Sequence, residues 1–184
     1  MNTVEPIRDM HMIWNIEDYL MTKNERDYMM FELGIYCGLR ISDILKLQVR
    51  DVKNKTHISI REQKTGKEKR FAINPDLQKV IKTYIAGKED YEYLLPSRQG
   101  AHVHITRQRA YDILNDVADH FGLEFVGTHT LRKTFGYHFY QQTKDIATLK
   151  EIFNHSDVSV TFRYIGINQD RKDDLMRKLT YKRH

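Results

Sequence analysis

Thr106-Arg107-Gln108-Arg109-Ala110-Tyr111-Asp112-Ile113-Leu114-Asn115-Asp116-Val117-Ala118-Asp119-His120-Phe121-Gly122 sets the fold class. Its apolar residues Ala110, Ile113, Leu114, Val117, Ala118 and Phe121 recur every three or four positions, the spacing that puts them on one helical face. Gly122 closes the run, as a residue free to turn left-handed does after a helix. Working outward, Tyr28, Met29, Phe31, Leu33 and Tyr36 give a second helix that stops at Gly38, and Ser42 is the expected N-cap of a short helix carrying Ile44, Leu45 and Leu47. Further on, a helix starts around Thr130 and runs through Phe135, Phe139 and Tyr140. Asp145 caps the next, with Ile146, Leu149, Ile152 and Phe153, and Asp157 or Ser159 starts one more that carries Tyr164.

Between these helices, 57–62 and 68–73 alternate in the two-residue period of strands, with Lys64-Thr65-Gly66-Lys67 as the turn of a hairpin. Asn74-Pro75 then reads as N-cap and first helical residue of a helix that ends near Gly87, and Glu89 to His104 reads as irregular. The expectation is one mainly α domain with a small antiparallel β-sheet, α+β in class, spanning residues 1–184.

Composition narrows the classes without choosing among them. Apolar residues at 40% and charged residues at 30% suit a soluble globular chain. One cysteine, Cys37, forms no internal disulfide and fits a reducing cytoplasm. No apolar run is long enough to span a bilayer, so no membrane partner is expected. Thirty Lys and Arg against 25 Asp and Glu leave a net charge of +5, which permits a polyanionic partner without demanding one. His102 and His104 lack the neighbouring carboxylate or thiol of a metal site, so neither metal nor other cofactor is expected.

Three segments stand out: Gly38-Leu39-Arg40-Ile41-Ser42-Asp43, His129-Thr130-Leu131-Arg132, and His155-Ser156-Asp157 leading to Tyr164 nine residues after the histidine. Taken singly, each has an ordinary explanation. Arg40 and Asp43 would make a surface ion pair, Lys64 a solvated turn, the histidines helix-end packing, and Tyr164, one of 11 tyrosines, a half-buried ring. Independent causes of that kind would have to reproduce all the residue types, in order, at matching intervals.

Together with Lys64, these segments resemble the active-site motifs of the tyrosine recombinase, or phage integrase, family, and the resemblance covers most of the chain. It implies the DNA breaking-rejoining catalytic-domain fold and strand cleavage through a 3′-phosphotyrosyl intermediate. Carried over residue by residue, it makes Arg40 and Arg132 the phosphate-binding arginines, Asp43 an orienting acid and Lys64 the general acid. His129 is the favoured base, His155 the second histidine and Tyr164 the nucleophile. The chemistry is coherent. Guanidinium forks match the non-bridging oxygens of a phosphodiester whose charge grows in the transition state, and a phenol of ordinary pKa near 10 needs help to ionise.

The implied partner is double-stranded DNA, with basic runs around Lys67-Lys69-Arg70, Arg107-Arg109 and Arg171-Lys172 as phosphate contacts. By the same resemblance, the segment 168–184 packs on a neighbour in a homotetramer on DNA, and the isolated domain is monomeric. The separate N-terminal helical domain of full-length integrases is expected to be absent from these 184 residues. The chain departs from the family pattern at Asp43, where many members have Glu, and at Asn154, where many have Gly. Type IB topoisomerase-like relaxation and a non-catalytic DNA-binding regulator are the competing functions.

Overall fold

The computed structural model describes residues 4–61, 68–124 and 126–180. It begins with α1 (Met10–Lys23) and α2 (Glu25–Cys37), hinged at Asn24. That one residue ends α1 and starts α2: its backbone N–H donates to the Leu20 carbonyl, and its side-chain oxygen accepts from the amides of Arg26 and Asp27. α2 is the central helix, with Met29, Met30, Phe31 and Leu33 wholly buried. Truncating Phe31 to Ala there would cost about 3–5 kcal/mol. Gly38 closes α2 at φ 60°, as its position in the sequence predicts.

Two short helices follow, α3 (Ile41–Ile44) and α4 (Val49–Val52). Here the sequence reading needs correcting, because Arg40 and not Ser42 occupies the N-cap of α3; Ser42 lies inside the helix, and the Arg40 carbonyl accepts from the amides of Asp43 and Ile44. β1 (His57–Arg61) and β2 (Glu68–Ala72) pair antiparallel, His57 opposite Ala72 and Arg61 opposite Glu68, with Ile58 turned into the core. The hairpin turn with Lys64 lies outside the described residues. α5 (Pro75–Tyr84) starts at the Asn74 cap with Pro75 in its first turn.

A second correction concerns 89–104. This segment is not all irregular: β3 (Pro96–Ser97) and β4 (Gly100–His104) form another two-stranded antiparallel sheet. β3 is only two residues long and has no alternation to read. Helices α6 (Arg107–Phe121), α7 (Thr130–Thr143), α8 (Ile146–Phe153), α9 (Val158–Tyr164) and α10 (Ile167–Lys178) complete the chain. Asp145 caps α8 and Asp157 caps α9.

The packing that matters for the site is around α7. Leu131 belongs to the main core, whereas Phe135, Phe139 and Tyr140 pack on a second apolar cluster of Leu149, Phe153 and Ile165 from α8 and the end of α9. Two glycines bring the helices close. A Cβ on Gly34 of α2 would come within 2.5 Å of Leu131, and one on Gly136 within 2.7 Å of Phe153 and Ile165. α7 is thereby wedged between α2, which ends just before the turn bearing Arg40, and the helices α8 and α9, which flank His155 and of which α9 ends in Tyr164.

Candidate active site

Arg132 sits in the first turn of α7 with only 5% of its surface exposed. Its guanidinium donates to the carbonyl of Gly38 and, at 3.1 Å, to that of Phe153, and lies 4.2 Å from the centre of the Phe153 ring. One side chain thus joins the turn before α3 to the end of α8. Burial lowers its pKa to about 10, an effect partly opposed by the nearby Tyr164 hydroxyl and Asp43, and it stays charged at neutral pH.

His129 occupies the N-cap position of α7 but does not cap it; Nδ1 stands 3.3 Å from the Tyr164 hydroxyl. Desolvation lowers the His129 pKa, with the charges of Arg107, Arg132, Lys133 and Arg40 acting in the same direction, so the ring is neutral at physiological pH. Tyr164 ends α9. Burial raises the pKa of its phenol, while Arg132 and Arg40 pull it down.

His155 follows Asn154, which takes the left-handed conformation (φ 57°) at the end of α8. Asn is the residue that best replaces Gly there, so the departure from the family pattern leaves the turn intact. The His155 ring packs edge-on to Tyr164, centres 5.2 Å apart, and its Nδ1 lies 3.0 Å from the Thr161 hydroxyl. Desolvation, then Arg132 and Arg40, lower its pKa.

Arg40 is exposed, and with Asp43, Arg132 and Phe153 it lines a narrow crevice closed by Ile60, Lys69 and Phe71 of the hairpin. Asp43 makes no ion pair with Arg40 among the described residues; its charge is felt by Arg132 instead. Arg40, Asp43, His129, Arg132, His155 and Tyr164 therefore converge. Lys64 lies outside the described residues, though the base of its hairpin abuts the crevice. His102 and His104 lie apart, against Tyr91 and Tyr93. Thr161 and Phe153, which orient His155 and Arg132, were not singled out by sequence reasoning; on their helices they look like ordinary core residues.

Residues 9–171 match the model of the phage integrase family. The chain is 51% identical to the probable integrase/recombinase YoeC of Bacillus subtilis over 170 residues, 92% of this chain and 93% of that protein. It spans 66% and 54% of two other curated tyrosine recombinases, from Pseudothermotoga lettingae and Listeria innocua. Among solved structures, XerA recombinase superposes with a TM-score of 0.74 at 20% identity, over 97% of this chain and 68% of that one. XerH recombinase, in a post-cleavage complex with its palindromic difH substrate, gives 0.73 at 16%, over 96% and 54%.

The chain belongs to the phage integrase family. Within it, the chain is the catalytic domain of a tyrosine recombinase, mostly helical with small antiparallel sheets.

Proposed function

We propose that this chain cuts and rejoins double-stranded DNA at specific sites, with Tyr164 as the nucleophile. The observation that carries this reading is the 3.3 Å approach of His129 Nδ1 to the Tyr164 hydroxyl beside a buried, charged Arg132. The phenol oxygen attacks a backbone phosphorus, forming a 3′-phosphotyrosyl bond as the bond to the 5′ oxygen breaks. His129 takes the phenolic proton, and Lys64 donates one to the departing 5′ oxygen. Arg40, Arg132 and His155 hold the non-bridging oxygens, and Asp43 orients the arginines through its charge. A 5′ hydroxyl from another strand reverses the step and restores a phosphodiester without an external energy source.

The relatives' names and the XerH complex with its difH substrate support DNA as the partner. A homotetramer on DNA, in the cytoplasm, is the working assembly, with the isolated domain monomeric. The later part of α10 and the residue after it, where Met176 is 69% exposed and Leu179 58%, supply a surface for a neighbouring copy.

The test is a library of suicide duplexes with randomised cores, incubated with the protein and resolved on a denaturing gel, with the attached DNA sequenced. A covalent adduct enriched in one sequence is expected from the wild type and none from Tyr164→Phe. An unchanged adduct in Tyr164→Phe would remove Tyr164 from the mechanism. Plasmid relaxation without exchange between two sites would assign the topoisomerase function instead.

A further inference from the structure

Lys133 follows Arg132 on α7 and is 8% exposed. A lysine is almost never so buried unless its charge is paired. Among the described residues no carboxylate lies within ion-pair distance of its ammonium. Two other groups receive it: the backbone carbonyl of Val4 at 2.7 Å, and the face of the Tyr164 ring, with Nζ 5.0 Å from the ring centre. Glu5 and Arg8 act on it from further away with opposite signs, and desolvation lowers its pKa.

The Val4 carbonyl is itself held in place. Residues 4–8 form a strap across α7, in which the Ile7 amide donates to the Thr134 hydroxyl at 2.9 Å and the Ile7 carbonyl lies 2.9 Å from His138 Nε2. At the end of the strap, the Arg8 guanidinium donates to both carboxylate oxygens of Asp170 in α10 at 3.1 Å. The strap is therefore fastened on both sides of the Tyr164 segment. A cation over an aromatic face is attractive and favours one placement of the ring under it.

We propose that Lys133 is a positioning residue for Tyr164: its ammonium, held by the Val4 carbonyl, rests on the face of the ring and keeps the phenol turned toward His129. The mechanistic consequence rests on Tyr164 being the nucleophile, but the positioning itself does not. A structural role for Lys133 makes the opposite prediction about stability. Burying an ammonium against a carbonyl and a ring face is costly, and a methionine of similar shape would fill the space without that cost. A lysine kept there for the fold alone has no such reason to be an ammonium.

The test uses the whole chain labelled with 3-fluorotyrosine, with the Tyr164 fluorine resonance assigned by its disappearance in Tyr164→Phe. Lys133→Met and Lys133→Gln are expected to shift or broaden that resonance and to move the phenol titration to higher pH. They should leave the other tyrosine resonances and the melting temperature unchanged or the latter higher. Lys133→Arg keeps a cation over the ring and should keep the wild-type resonance. With the randomised suicide duplexes, Lys133→Met should slow adduct formation about tenfold at unchanged non-covalent DNA binding.

An unmoved Tyr164 resonance in Lys133→Met and Lys133→Gln overturns the proposal. So does an unfolded Lys133→Met, which would make the ammonium a requirement of the fold. If Arg8→Gln, which loosens the strap but keeps Lys133, moves the resonance equally, the strap and not the ammonium does the positioning. Because the fluorine readout needs no DNA, it decides the point even if Tyr164→Phe still forms adducts.

Discussion

The hydroxyl of Thr161, fully buried on α9, stands 3.0 Å from Nδ1 of His155, the histidine just ahead of the same helix. The same hydroxyl reaches the Asp157 carbonyl at 3.4 Å, so the ring is tied to the first turn of α9. Replacing Thr161 by Val keeps the shape and removes the tie. The expected cost is about 1 kcal/mol of stability and about a tenfold loss in the rate of adduct formation, with Thr161→Ser close to wild type. Urea denaturation and single-turnover cleavage measure the two effects, and equal rates in all three proteins would show that His155 needs no such tether.

Arg132 is expected to serve the fold and the chemistry together. Arg132→Ala leaves the Gly38 and Phe153 carbonyls without a donor and empties the space over the Phe153 ring. A loss of roughly 2–4 kcal/mol in denaturant unfolding should accompany loss of the adduct. Arg132→Lys, with one point charge in place of a fork, should recover part of the stability and little of the activity.

The acid limb of the cleavage rate should follow His129, the proton acceptor. Desolvation and the nearby cationic side chains hold its pKa below the ordinary 6.5, so the rate rises with pH below that value and is level near neutrality. Arg107 is the strongest charge acting on His129. Removing it in Arg107→Ala raises the His129 pKa and should move the acid limb to higher pH. A limb that stays in place would exclude His129 as the group titrating there.

Glu32 makes a separate prediction about stability. It is 2% exposed on α2, one of its carboxylate oxygens has no hydrogen-bond partner among the described residues, and burial followed by the facing Glu17 raises its pKa. The folded pKa thus exceeds the unfolded one. Stability is fully present below the ordinary carboxylate range and is lost as pH rises through the raised folded value. Glu32→Gln, which cannot ionise, should therefore gain on the wild type as pH rises, by about 1–3 kcal/mol at pH 9. Paired unfolding curves at pH 4 and pH 9 check it, and an equal difference at both would place the ionisation elsewhere.

Gly136→Ala tests the wedge around α7. The added Cβ would lie 2.7 Å from Phe153 and Ile165, both in the small cluster that supports α8 and α9. Overpacking there should cost about 1–3 kcal/mol and slow cleavage, because the segment bearing Tyr164 is pushed away from Arg132. The equivalent change at exposed Gly87, which has open space around it but a φ of 78°, should cost stability without touching the chemistry.

Much of this was legible from local pattern. The limits of α6, the Gly38 cap, the Asn74-Pro75 start of α5 and the Asp145 and Asp157 caps each depend on neighbours within about one helical turn, and the structure has them where the sequence predicts. The misreadings occurred where distant contacts override local preference. Ser42 is a good cap, yet Arg40 is the N-cap of α3, beside the Gly38 carbonyl that accepts from Arg132 of α7. β3 exists because Pro96 pairs with His104 and the Ile105 amide donates to the Leu95 carbonyl, and neither contact leaves a periodic trace.

The sequence by itself determined the motif residues, their order and their spacing, and these suffice to place the chain in its family. Only the tertiary structure decided what each one touches. His129 and Tyr164 are 35 residues apart, and the Lys133 ammonium meets a carbonyl 129 residues away. Such meetings arise from the close approach of α2, α7 and α8, in which Gly34, Gly136 and the Phe153 ring set the distances through packing that no local pattern encodes.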